Sequence, residues 1–231
     1  MFDMYYLVLV LPMVILSMWA SAKVNSSFKK YSKVSTMRNL TGAEAARQIL
    51  DNHGLYNVKI EAVAGNLTDH YDPKSNVIRL SDSVRNSASV AAVGVAAHEA
   101  GHAVQHATGY APIKLRNSLV PVANLGSKLS MPLIILGLVL MGAESLFGIT
   151  MVYAGILMFS LAVLFQIVTL PVEFDASNRA IRVLGEGGYL YDEEVKHVKK
   201  VLSAAAMTYV AAAATSIAQL LRLILIARDR D

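Results

Sequence analysis

An apolar run of about forty residues, 131–170, carries a single charge, Glu144, and constrains this chain more than any other feature. One pass through a hydrocarbon core takes only ~20 residues. A single helix of that length is implausible, so the run reads as two membrane helices turning near Gly142-Ala143-Glu144-Ser145. The first is about 132–141 extended into its flanks, and the second is 149–170. A hairpin returns the chain to the side it left, so residues after 170 should share a compartment with those before 131. Residues 4–22 form another uncharged apolar stretch, long enough for one span, with Pro12 as a tolerated kink. Asp3 stands where a signal peptide carries positive charge, and Lys23, Lys29, Lys30, Lys33 and Arg38 follow the stretch instead. That order predicts an outside N-terminus and a cytoplasmic following domain. The last apolar run, 202–227, is ambiguous. It is Ala-rich, contains Arg222, and as a fourth span would put Arg228 and Arg230 outside. A helix packed on the domain or lying in the interface fits it as well.

Composition agrees with a membrane protein. The chain is 55% hydrophobic and 16% charged, with a mean hydropathy of +0.45, too apolar for an ordinary soluble domain. Its net charge of +4 suggests nucleic acid at first sight, but on a membrane protein such an excess marks the cytoplasmic face. The expected surroundings are therefore a lipid bilayer, with no nucleic acid partner. With no cysteine, disulfides and thiolate metal sites are excluded.

Between the first span and the hairpin lies a mixed segment. Thr41-Gly42-Ala43-Glu44 has the pattern of a capping box, opening a helix that stops at Gly54. NVKIEAVAG and NVIRLS read as short strands, with LTDHYDPKS as the turn between them. A second helix is expected to start near Asn86 or Ser87 and to run through SVAAVGVAAHEAGHAVQHA. Gly109 suits its C-terminal cap, and Pro112 blocks its continuation.

That helix carries the chemistry. His98 and His102 are four residues apart and so share one face, where both imidazoles can reach a single zinc ion. Glu99 lies about 100° round the helix. From there it is placed to act on an attacking water as general base rather than to bind the metal. H-E-x-x-H arises by chance in roughly one chain in a hundred of this length. The bland reading, two satisfied histidines and an ion-paired glutamate, is opposed by the apolar setting, in which an unpaired charge is costly.

A catalytic zinc needs a third protein ligand and an open position. A histidine six residues after the second ligand is missing, since that place holds Thr108. His106 is ~12 Å along the axis from His98 and reads as a polar or supporting residue. Glu173, in Pro171-Val172-Glu173-Phe174-Asp175-Ala176-Ser177-Asn178-Arg179, is the expected third ligand, because the hairpin brings it back to the HEAGH side. Pro171 suits the first turn of a helix there. Asp175 falls on the other side of that helix and is expected to orient a ligand histidine or to pair with Arg179.

HEAGHAVQH, a two-span hairpin and PVEFDASNRA together resemble the YugP-type membrane zinc metallopeptidases over nearly the whole chain, NVIRLSDSV included. More distantly the chain is similar to the HtpX-type membrane proteases and the CAAX prenyl endopeptidases, whose third-ligand motif is E-x-x-x-D. Here the position four after Glu173 is Ser177, and the nearby aspartate is Asp175. The resemblance implies a gluzincin-like peptidase using Zn2+ and acting on a peptide or protein, with an edge strand beside the cleft, for which NVIRLS is the candidate. An oxyanion donor is open among His70, His197, Arg179, Tyr189 and Tyr191, with Gly185-Glu186-Gly187-Gly188 able to form a mobile lip before Tyr189. The expected architecture is mainly helical α+β, a zincin-like domain with three to four transmembrane helices. Its parts are a span (1–22), a cytoplasmic portion (23–130), the hairpin (131–170), the third-ligand segment (171–201) and an apolar C-terminal helix (202–231). The expected activity is endopeptidase hydrolysis of membrane or membrane-proximal proteins. A non-catalytic zinc-containing adaptor and a zinc hydrolase of a lipid or small amide are the alternatives.

Overall fold

The computed structural model describes residues 3–141 and 146–229, so the turn expected at 142–145 and Arg230 lie outside the described residues. In chain order come a π-helical turn (Tyr6–Val10) leading into α1 (Leu11–Tyr31), α2 (Gly42–Asn52), β1 (Lys59–Val63), β2 (His70–Asp72) and β3 (Val77–Ser81). These are followed by α3 (Asp82–Arg85), α4 (Val90–Ala107), α5 (Ala111–Met141), α6 (Leu146–Glu186) and α7 (Asp192–Arg228). The architecture is mainly helical α+β, as the sequence predicts, and among the described residues four helices are long and apolar enough to cross a membrane. The chain divides into two compact units. One comprises residues 1–19, 114–171 and 208–231, and the other 20–113 and 172–207.

Among the described residues the first unit is built from helices. On α5 and α6, glycines permit close backbone approach: a Cβ on Gly126 would lie 2.4 Å from the Met158 carbonyl oxygen, and one on Gly155 2.8 Å from that of Ser130. α7, which contains the 202–227 run, is long and apolar enough to cross a membrane and lies along α1. Ser17 and Thr215 hydroxyls meet at 3.1 Å, and Arg222 grips Asp3 through Nε at 3.1 Å and a terminal nitrogen at 2.6 Å. That charged side chain, costly in an apolar helix, is thereby neutralised.

The second unit builds a small sheet under α2 and α4. Thr41 and Glu44 form the expected capping box on α2, and Gly54 takes φ +71° just past its end. β3 is the centre of the sheet, parallel to β1 and antiparallel to β2. Two expectations are corrected here. The segment read as a plain turn contains β2, and NVIRLS is the central strand rather than an edge. β2 is held by carboxylates instead of by alternation. Asp69 accepts from the Ser81 N–H at 2.7 Å, and Asp72 accepts from the Lys74 N–H at 2.9 Å and from Arg79 at 3.2 Å.

Two helix boundaries also differ. α4 starts at Val90, not near Asn86, because Ser89 caps it by accepting the Ala92 N–H, while the Thr36 N–H donates to the Ala88 carbonyl and keeps the preceding chain extended. Pro171 does not open a helix but sits inside α6. A proline interior to a helix is tolerated in an apolar segment, where leaving the helix would strand more backbone groups than the ring removes.

Candidate metal centre

α4 is the buried spine of the second unit, and its small residues let neighbours come close. A Cβ on Gly101 would lie 2.9 Å from the Ala176 carbonyl oxygen, so glycine between the two histidines sets the separation of α4 and α6. At that separation His98, His102 and Glu173 converge, with one donor atom from each lying within 4.8 Å of the others. Nε2 of His98 is 3.3 Å and Nε2 of His102 3.5 Å from the same Glu173 oxygen.

The donor set and its spacing fit zinc. Two imidazole nitrogens and one carboxylate oxygen suit a borderline ion. Tetrahedral bonds of ~2.0–2.1 Å place neighbouring donors roughly 3.3–3.4 Å apart, close to the two distances observed. The ring orientation fits as well. Both Nε2 atoms face the carboxylate, and both Nδ1 atoms are held from behind, His98 by the Ser177 hydroxyl at 3.1 Å and His102 by Gln105 Oε1 at 3.0 Å.

Gln105 fixes the proton on His102. Its amide nitrogen spends both hydrogens, on the Val172 carbonyl at 2.9 Å and on Asp175 at 2.8 Å. Oε1 must then accept, so His102 carries its hydrogen on Nδ1 and offers a lone pair at Nε2. Asp175 also accepts from Arg179 Nε at 2.5 Å, and the Arg179 guanidinium lies over the Tyr110 ring. Burial pushes the His102 imidazole down, but the Glu173 contact and the Glu99 charge outweigh it and hold its pKa above the ordinary value.

Glu99 is buried and is not one of the three converging groups. Its carboxylate accepts the backbone N–H of Tyr71, in edge strand β2, at 2.9 Å. His106 is exposed beside the Tyr71 ring, 6.0 Å between centroids. The proposed oxyanion donors scatter. His70 sits exposed on β2, His197 packs on Tyr31, Arg179 is tied to Asp175, and Tyr191 is exposed beside Arg38. Tyr189 is buried and hydrogen-bonded to Asn52, so it belongs to the core. Sequence reasoning missed Gln105 and Ser177. A polar residue at i+3 from a ligand on an otherwise apolar helix was the signal for the first.

Comparison with known proteins agrees with this chemistry. A profile of the family described as "Putative neutral zinc metallopeptidase" matches residues 6–228. The chain is 50% identical over 211 residues, 91% of each chain, to the "Putative membrane protease YugP" of Bacillus subtilis. No solved structure matches it. With a match over nearly its full length and half of the aligned residues shared with that relative, the chain belongs to this zinc metallopeptidase family.

Proposed function

We propose that the chain is a zinc-dependent endopeptidase of the membrane, acting on membrane or membrane-proximal proteins from the cytoplasmic side. The observation that carries the reading is the buried Glu99 carboxylate beside the convergent His98, His102 and Glu173, with an open strand edge at hand. His98, His102 and Glu173 would hold the ion. Zinc, when bound, supplies Lewis-acid polarisation of the scissile carbonyl and lowers the pKa of the attacking water. Glu99 takes the proton from that water and delivers it to the leaving amine. Gln105 and Ser177 keep the imidazoles aimed.

β2 is the edge strand nearest this machinery, and its Tyr71 N–H points out of the ladder. An extended substrate adds there as a further strand, which orients the scissile bond. The cytoplasmic placement rests on the exposed Lys23, Lys29, Lys30 and Lys33 at the end of the first span.

The test is zinc content and peptide hydrolysis for the purified wild type beside Glu99→Gln and Glu173→Ala. The expected result is active, zinc-loaded wild type, an inactive Glu99→Gln that keeps its zinc, and a Glu173→Ala that loses zinc on dialysis. A Glu99→Gln protein as active as wild type overturns the role of Glu99. Zinc held with no hydrolysis by any form favours the adaptor reading.

A further inference from the structure

Behind the metal-bearing face of α4 lies a cavity of about 150 Å³ that the proposed chemistry does not use. Its floor is apolar, made by Ile49 of α2, Ala97 and Val104 of α4, and Ala180 of α6. Its rim is basic: His53, Arg179 and Arg182. Among the described residues no acidic side chain lines it. Arg179 spends Nε on Asp175, which leaves both terminal nitrogens as donors. Arg182 is exposed, and His53 donates its Nδ1–H to the Ile49 carbonyl, so its Nε2 becomes a further donor only on the protonated ring.

Arg179 shares its charge with Asp175, while Arg182 meets no carboxylate among the lining residues; their remaining donors make a site for an anion, and a carboxylate is the anion a guanidinium fork matches in shape. The floor asks for more than a bare ion, because a phosphate or acetate would leave it uncovered. A cavity of ~150 Å³ takes one benzene-sized apolar group, which is one side chain and too little for a long acyl chain. We propose that this cavity binds the free C-terminal carboxylate of a peptide whose last residue is apolar, with the side chain on the floor and the carboxylate between Arg179 and Arg182. The choice of a peptide rests on the peptidase reading. The binding itself does not, so the two can fail separately.

The test is calorimetric titration of the full-length, detergent-purified protein with N-acetyl-L-leucine, N-acetyl-L-leucinamide, acetate and octanoate. N-acetyl-leucine is expected to bind, with the neutral amide and acetate at least about tenfold weaker. Arg182→Gln, a change at an exposed position, should weaken N-acetyl-leucine by a similar factor, and Arg182→Lys by less. Equal binding of acid and amide overturns the proposal, as does absence of binding at millimolar concentration. An affinity unchanged in both Arg182→Gln and Arg179→Gln overturns it too. Octanoate binding more tightly than N-acetyl-leucine assigns the cavity to lipid carboxylates and overturns the peptide assignment.

Discussion

Gln105 Oε1 stands 3.0 Å from Nδ1 of His102, and the direction of that hydrogen bond is fixed by the two other bonds of the same amide. A fully buried glutamine thereby decides which nitrogen of a histidine faces Glu173. Gln105→Leu removes the acceptor and both donors. Zinc affinity, read by competition with a chromophoric chelator, should fall about 10–100-fold. Helix content should stay near wild type, and an unchanged affinity would show that packing alone orients His102.

Gly101 makes the second prediction. A methyl at this position would stand 2.9 Å from the backbone of Ala176, which no rotamer change can relieve. Gly101→Ala should cost about 1–3 kcal/mol by forcing α4 and α6 apart. The same displacement draws His98 and His102 away from Glu173, so zinc retention should drop along with the unfolding temperature. Loss of stability with full zinc loading would mean that α6 shifts as a unit with its carboxylate.

The third concerns pH. Hydrogen bonds from Ser75, Lys74 and Arg79 hold the Asp72 carboxyl far below the usual carboxylate range. A depressed native pKa contributes stability that is complete above the unfolded value, ~3.9, and is lost as pH falls through the native one. Hydrogen exchange of the β2 amides, corrected for intrinsic rates, should therefore be equally slow at about pH 7 and pH 5. Asp72→Asn should speed it at both. A wild-type rate that rises between those two values would place another titrating group in control of the strand.

Much of the site was legible because its spacing is local. His98 and His102 are one helical turn apart, and the need for a third donor pointed across the hairpin to Glu173. The supporting groups were less visible, since their partners are distant in sequence: Ser177 reaches His98 and Asp175 reaches Gln105 only once α6 lies on α4. Short elements were hidden for another reason. β2 has three residues, too few for alternation to register, and it exists through Asp69 and Asp72. Pro171 misled because its usual meaning belongs to helices in water.

The Tyr71 N–H that meets Glu99 is also the group an incoming peptide strand would seek. In the structure the Glu99 carboxylate occupies that donor. On the proposed reading, a substrate carbonyl laid along β2 would take the donor over and set the carboxylate loose beside the bond to be cut. Short molecules that cannot lie along the strand leave Glu99 fastened. On that reading the base is latched by its own strand, and the key would be an extended backbone.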